Sequence, residues 1–386
     1  MQPADLADSV VRALPSDARV AVVHEWFTRW SGSEAVLEQL LACLPKADLF
    51  ALTSHPDAEG TRRLAGRTVT TSFIQRLPFG ARHPQLWLPL LPRAAEQLDL
   101  RGYDLVISNS HCVAKGVITS PDCLHIAYIH SPARYAWDLQ HTYASSVPWP
   151  LRYWWRRNMH QFRMWDAVSA QRPDVLACNS AFIARRIAHA WRREAHVIYP
   201  PVDVEDFTPA GDREDIYVTA SRMVGYKQMP LIAEAFATMG TRRLCMIGDG
   251  PDLARVKAIA ARSPNIEVIG HATRPELIRR LRSARAFIFA AEEDFGISPV
   301  EAMACGTPVI AFGTGGAAET VIDGVTGLLF HQQTAAGVID AVKRFEAGPN
   351  LESSACRMQA EVFSPRLFRA QFTALVTDAL NHRKSR

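Results

Sequence analysis

The feature that most constrains this chain is an alternation of short apolar runs with stretches of helical periodicity, sustained over nearly its whole length. In the carboxyl-terminal half IYVTAS, RLCMIG, IEVIG, AFIFAA, TPVIAF and GLLF read as strands. Between them PLIAEAFATMG and RPELIRRLRSA place apolar residues three and four apart, the spacing of a helix with one buried face. Apolar strands joined by amphipathic helices are what a parallel sheet covered on both faces requires. The pattern predicts a doubly wound α/β domain. The amino-terminal half repeats it with RVAVVHEW, ADLFALTS, YDLVISNS, CLHIAYIH and DVLACNS as strands, and so predicts a second domain of the same class.

A chain of 386 residues favours two domains over one. The boundary falls in VIYPPVDVEDFTPAGDRED, where Pro200, Pro201, Pro209 and Gly211 interrupt any regular pattern. This divides the chain into residues 1–200, residues 201–365 and a terminal helix over residues 366–386. The net charge of +4, from 43 basic and 39 acidic residues, is too small an excess for a nucleic-acid footprint. Seven scattered cysteines without a C-x-x-C pair indicate neither a disulfide framework nor a zinc site, and fit a reducing cytoplasm. No basic-then-apolar leader opens the chain, and no apolar run has the length of a membrane span. The expected location is cytoplasmic, extending to peripheral contact with the inner face of the cytoplasmic membrane.

Charged and polar groups recur where strands end, the position at which open parallel sheets bind ligands. After the first strand, Ser31 and Glu34 have capping-box spacing and start a helix at Gly32. The free amides of that turn suit the pyrophosphate of a nucleotide, and equally an ordinary strand-to-helix turn. Arg222 and Lys227 follow IYVTAS; two cations there suit a diphosphate, Arg by bidentate contact and Lys as a point charge. His111 and His130 end two strands of the first half, where an imidazole can hydrogen-bond sugar hydroxyls or an acceptor. In EDFGISPVEAMACG, Ser298, Pro299 and Glu301 fit N-cap, N1 and N3 of a helix, which gives Glu301 a local structural role. Glu293 has none. With Glu292 and Asp294 it crowds three acids beside a helix amino terminus, an arrangement suited to sugar hydroxyls next to phosphate. LRYWWRRNMHQFRMW interleaves arginines with aromatic residues; it fits an anionic bilayer surface and equally a helix packed inside its own domain.

Taken together, WSGSEAV, HIAYIHSP, ASRMVGYK, IGDGPD and EDFGISPVEAMACGTPVIAFGTGGAAETV resemble the retaining glycosyltransferases of family 4, whose hallmark is two glutamates separated by seven residues, as Glu293 and Glu301 are. The resemblance implies a GT-B architecture: two Rossmann-like domains facing across a cleft, the first binding acceptor and the second nucleotide sugar, with the terminal helix returning to the first. It implies that Arg222 and Lys227 bind the donor diphosphate, Glu293 the donor sugar hydroxyls and Glu301 the ribose. The loop Phe295, Gly296, Ile297 and Ser298 would hold phosphate, Gly32 would approach the diphosphate, and His130 would stand at the reacting face. YIHSPARYAWDL, AQRPDVLACNSAFIARRI and VIYPPVDVEDF are similar to the WbaZ-like mannosyltransferases of O-antigen (lipopolysaccharide) and exopolysaccharide assembly. That similarity implies GDP-mannose as donor and a polyprenyl-diphosphate-linked glycan as acceptor. No D-x-D pair occurs, so a metal-independent reaction with no cofactor beyond the nucleotide-sugar substrate is expected. The competing readings are a nucleotide-sugar epimerase or phosphorylase of the same fold, and a non-catalytic subunit that binds glycans or a partner.

Overall fold

In the computed structural model, which describes residues 14, 15, 17–209, 211, 213–348 and 350–385, the alternation becomes two parallel sheets. The expectation of a chain without a leader falls on residues 1–13, outside those described. The chain divides into two compact units: Met1–Pro201 with Arg366–Arg386, and Val202–Pro365.

In the first unit β1 (Val20–Phe27), β2 (Asp48–Ser54), β3 (Val69–Thr71), β4 (Leu105–Ser110), β5 (Leu124–Ile129), β6 (Val175–Cys178) and β7 (His196–Val197) pair in the order β3-β2-β1-β4-β5-β6-β7. All the pairings are parallel, with Val22 of β1 opposite Leu49 on one side and Ile107 on the other. Successive residues of β1 face opposite sides, as strand geometry dictates. Val22 packs with Val36, Leu37 and Leu40 of the helix Gly32–Cys43, whereas Ala21 and Val23 pack with Leu91, Met159 and Phe162. The terminal helix, Pro365–Lys384, lays Phe368, Phe372, Val376 and Leu380 into the former cluster. These residues recur every four positions, one stripe of a helix. At about 1.5–3 kcal/mol for each large apolar side chain buried, the stripe is ample to hold the helix on this unit.

In the second unit β8 (Ile216–Ala220), β9 (Arg243–Ile247), β10 (Ile266–Gly270), β11 (Ala286–Phe289), β12 (Val309–Phe312) and β13 (Gly327–Phe330) pair in the order β10-β9-β8-β11-β12-β13. Its core joins Tyr217, Leu244, Met246, Ile288 and Ile310 to Ile232 and Phe236 of the helix Met229–Met239 and to Val338 and Val342 of Ala335–Ala347. Both sheets are doubly wound and Rossmann-like: the strand order reverses between β1 and β4 in one and between β8 and β11 in the other. At such a reversal the crossover helices part, leaving a crevice at the strands' carboxyl ends. Among the described residues, no helix is long and apolar enough to cross a membrane.

Candidate functional site

In the second unit the reversal point is built from three loops pressed together by glycines. β8 runs into Ser221–Lys227, which is tied to the next crossover: Ser221 N–H donates to the Ile247 carbonyl (3.0 Å) and Met223 N–H to that of Asp249 (2.8 Å). Gly248 and Gly250 have φ of +144° and +147°, and a Cβ on them would lie 1.8 Å from the Ser221 oxygen and 2.5 Å from the Met223 oxygen. IGDGPD is therefore the clasp that fixes the loop bearing Arg222. Arg222 is exposed and forms no ion pair with a described residue. Lys227, in the turn Gly225–Lys227, extends to the end of β11 and pairs with Glu293, each side chain about one-sixth exposed (16% and 17%). The cation expected to be free for phosphate and the carboxylate expected to be free for sugar hydroxyls neutralise each other here.

Behind Glu293 the GTGG segment closes in. Gly316 N–H donates to the Glu293 carbonyl (2.8 Å). A Cβ on Gly315 (φ +79°) would lie 2.4 Å from that oxygen, and one on Gly316 2.2 Å from Phe295 Cα. Phe295 is buried against Phe363, ring centroids 5.4 Å apart.

The capping box expected at Ser298 does not form. Gly296, with φ +86° and ψ +83°, is the N-cap, and the helix is Ile297–Ala304. The left-handed backbone that glycine permits turns the chain into the helix two residues early. Glu301 thus lies beyond the first turn, which contains no acid, and its carboxyl makes no hydrogen bond or ion pair with a described residue. Burial raises its pKa from 4.5 to about 7, against the pull of Arg274 and with a push from Asp203. The local role read for Glu301 is absent, which leaves a proton-sharing carboxyl beside the loop of Glu293.

The first unit's reversal point gathers residues that spacing alone did not single out. Glu34 caps its helix as expected, accepting from Ser31 N–H at 3.0 Å, but it also lies 3.3 Å from Nε2 of the buried His24. Burial works to raise the Glu34 pKa, yet His24 and the Ser31 and Ser33 hydroxyls bring it down to about 2. Gly32 is the first residue of that helix, and its N–H is among those without an intrahelical acceptor. His111 and His130 directly follow β4 and β5; their ring centroids are 6.5 Å apart, and His111 lies equally far from His24. Burial lowers the pKa of both, that of His130 to about 3 with help from the neighbouring His111 and His24, so both are neutral near pH 7. His111 Nδ1 is buried without a hydrogen-bond partner among the described residues. Glu25, on β1, is fully buried, and its Oε1 accepts from Ser110 Oγ (2.9 Å) and from the backbone N–H of His111 (3.1 Å), Cys112 (2.7 Å), Val113 (2.7 Å) and Ala114 (2.9 Å). The polar HE within an otherwise apolar first strand was the one available signal for His24 and Glu25.

The arginine-aromatic segment forms the helix Arg152–Ser169 and answers both readings in different parts. Its carboxyl-terminal half is locked inside the unit. Asp166 accepts from Lys115 Nζ (2.6 Å), Trp137 Nε1 (2.7 Å) and Trp191 Nε1 (2.8 Å), with Asp166 and Lys115 both buried. The amino-terminal turns leave Tyr153 (69%) and Trp154 (59%) exposed with Arg156 and Arg157, and the short turn Trp149–Leu151 just before them leaves Trp149 exposed as well (80%).

Two doubly wound units, each with charged and polar groups at its reversal point, define a GT-B glycosyltransferase fold. The family model described as Glycosyltransferase Family 4 matches residues 30–206, and the one described as Glycosyl transferases group 1 matches residues 205–360. The chain belongs to this GT-B group 1/family 4 glycosyltransferase family. It is similar to the alpha-1,3/1,6-mannosyltransferase alg-2 of Neurospora crassa, 28% identical over 230 residues, covering 45% of this chain and 49% of that protein. The chain spans about half the length of the curated relatives it matches. Among solved structures it is similar to sucrose-phosphate synthase of Thermosynechococcus elongatus, with TM-score 0.72, 18% identity, and 94% and 100% of the two chains covered. Anabaena HepE in complex with UDP and glucose gives TM-score 0.68 and 15% identity, with 93% and 99% covered.

Proposed function

We propose that this protein transfers a hexosyl residue, mannose from GDP-mannose, onto a polyprenyl-diphosphate-linked glycan, in the assembly of a bacterial surface polysaccharide. The observation that carries the reading is the largely buried Lys227–Glu293 pair beyond the ends of β8 and β11, with Arg222 on the loop that bears Lys227 and Glu301 on the helix after Glu293, both side chains without a partner among the described residues. A free carboxylate and cation at that depth attract solvent or each other; a diphosphate and a sugar satisfy them separately. In this reading Lys227 turns to the donor diphosphate with Arg222, and Glu293 accepts from sugar hydroxyls. Glu301 takes the ribose, its shared proton letting it donate as well as accept. The amides of Gly296, Ile297 and Ser298, following Phe295, face phosphate at the helix start, and those at Gly32 offer the same chemistry in the first unit. His130 and His111, both neutral, serve sugar hydroxyls.

Catalysis is then chiefly electrostatic. Fixed cations stabilise charge on the departing nucleotide, and the leaving phosphate accepts the proton of the acceptor hydroxyl, which enters on the face the nucleotide leaves. Configuration is retained, no metal is required, and no cofactor beyond the nucleotide-sugar substrate takes part. The mannosyl assignment draws support from the name of the alg-2 relative and from the sequence similarity to mannosyltransferases. The exposed aromatic and arginine turns of Arg152–Ser169 would rest on the anionic membrane that carries such an acceptor.

A thermal-shift screen of GDP-, UDP- and ADP-sugars tests the reading, because a ligand that binds the native state raises Tm by mass action. GDP-mannose should give the largest rise, and release of GDP should follow when a lipid-linked glycan is added. A shift with a UDP-sugar and none with GDP-mannose would overturn the donor assignment. No shift with any nucleotide sugar would overturn the enzyme.

A further inference from the structure

Four side chains of the first unit form a hydrogen-bonded line whose proton positions can be deduced from its two ends. Asn109, fully buried near the end of β4, sets its Nδ2 2.8 Å from the Ser33 carbonyl and 3.2 Å from His24 Nδ1. Its Oδ1 lies 2.7 Å from His130 Nε2. His24 Nε2 in turn faces Glu34 Oε1 at 3.3 Å. A carbonyl oxygen only accepts, so the atom facing Ser33 is the amide nitrogen and not the amide oxygen. The second N–H of that nitrogen points at His24 Nδ1, which must therefore be bare. The His24 proton sits on Nε2 and is donated to Glu34, an acceptor already held ionised by Ser31 and Ser33. At the other end the amide oxygen only accepts, so His130 Nε2 carries a proton. Burial keeps His130 neutral, which leaves a lone pair on its Nδ1.

We infer that Asn109 is a positioning residue that fixes His130 as the Nε2–H tautomer, so that His130 presents Nδ1 to the substrate as a hydrogen-bond acceptor and selects a sugar hydroxyl that donates to it. The selectivity rests on the glycosyl-transfer reading, whereas the tautomer does not. The physical basis is the asymmetry of the neutral imidazole, in which one nitrogen donates and the other accepts, and the partner of one decides the role of the other. An unconstrained histidine adapts to a carbonyl, a hydroxyl or water. A ring held by Asn109 cannot donate from Nδ1 without losing the bond at Nε2. A sugar analogue lacking the hydroxyl, or carrying a carbonyl in its place, leaves that lone pair unmatched.

The test is 15N NMR of the full chain labelled at histidine nitrogen, with His130 assigned by its disappearance in His130→Gln. In the wild-type protein without ligand near neutral pH, His130 should show a protonated Nε2 and a bare Nδ1. A dominant Nδ1–H form, or an imidazolium, would overturn the inference with no variant required. Asn109→Ala should release the ring into a mixture of tautomers. An unchanged tautomer in a folded Asn109→Ala protein would also overturn it. With a nucleotide sugar that raises Tm, the Nδ1 signal should move toward that of a hydrogen-bonded acceptor, and a static Nδ1 would refute the contact. In turnover, kcat/KM should fall about tenfold in Asn109→Ala, the worth of one hydrogen bond. Failure of every nucleotide sugar to shift Tm would count against the functional reading alone, since the tautomer is read without ligand.

Discussion

Glu301 gives a prediction in which stability and binding move in opposite directions. An unfolded chain releases this proton near pH 4.5, whereas the native site holds it to about pH 7. Between those values the native state binds more protons than the unfolded state, so the contribution of Glu301 to stability falls as pH rises. At about 1.4 kcal/mol for each pH unit separating the two values, the full cost above pH 7 has an upper limit of about 3.4 kcal/mol. Part of the residue reaches solvent, which reduces it to about 2–3 kcal/mol. Glu301→Gln keeps the shape and removes the charge. Denaturant unfolding of both proteins should therefore give nearly equal stabilities at about pH 3.5, below the unfolded value, and a variant more stable by about 2–3 kcal/mol at about pH 8. On the proposed ribose contact, the same variant should show a smaller rise in Tm with nucleotide sugar at about pH 8, where the ionised carboxylate can accept from both ribose hydroxyls and an amide oxygen replaces only one of its two acceptor atoms. A variant less stable than wild type at pH 8, or a difference that does not change with pH, would refute the claim that burial without a partner governs this carboxyl.

Other perturbations address separate parts of the site. Lys227→Ala should lower kcat by roughly 10²- to 10³-fold, the loss expected for one preorganised electrostatic contact, and an unchanged rate would remove Lys227 from the machinery. Gly316→Ala places a methyl group 2.2 Å from Phe295 Cα, so it should destabilise the protein by about 1–3 kcal/mol and abolish the nucleotide-sugar Tm shift; a wild-type melting curve would show that the loop has room. Turnover should survive EDTA, and a loss reversed by magnesium or manganese would contradict a metal-independent reaction. The protein should co-float with anionic but not with zwitterionic vesicles. Replacing Arg156 and Arg157 with Ala should weaken that binding roughly 30-fold, at about 1 kcal/mol per arginine, and equal flotation would exclude the helix as the contact.

The strands were legible where periodicity had room to show. All six strands of the second sheet and five of the seven in the first coincide with apolar runs visible in the sequence. β3 and β7 do not, because three and two residues at a sheet edge, largely exposed, carry no pattern that separates them from loop. The docking of the terminal helix is not legible in its own residues, since the stripe of Phe368, Phe372, Val376 and Leu380 announces a buried face without naming what buries it; the expectation that it returns to the first domain comes from the family resemblance alone. The misplaced helix start at Ser298 has a different cause. S-P-x-E is a strong local start signal, but Gly296 accepts a left-handed backbone at no steric cost, and packing of Gly315 and Gly316 on residues 293–295 fixes the chain there. Local propensity lost to a close backbone approach that only the third dimension reveals.

The same distinction explains why two units of one topology differ in what they can hold. At the end of β4 four consecutive backbone amides and a serine hydroxyl converge on one point, an arrangement that by itself attracts an anion. In this chain the point is taken by Oε1 of Glu25, so a phosphate brought to those amides has to displace a buried carboxylate whose other oxygen already lacks a partner. That exchange exposes or strands a charge and is unfavourable. Beyond β11 the first turn of Ile297–Ala304 carries no acid, and the nearby Glu293 is drawn to Lys227. An internal carboxylate thus shapes the loop bearing His111, while Lys227, Glu293 and Arg222 gather at the second unit's reversal point.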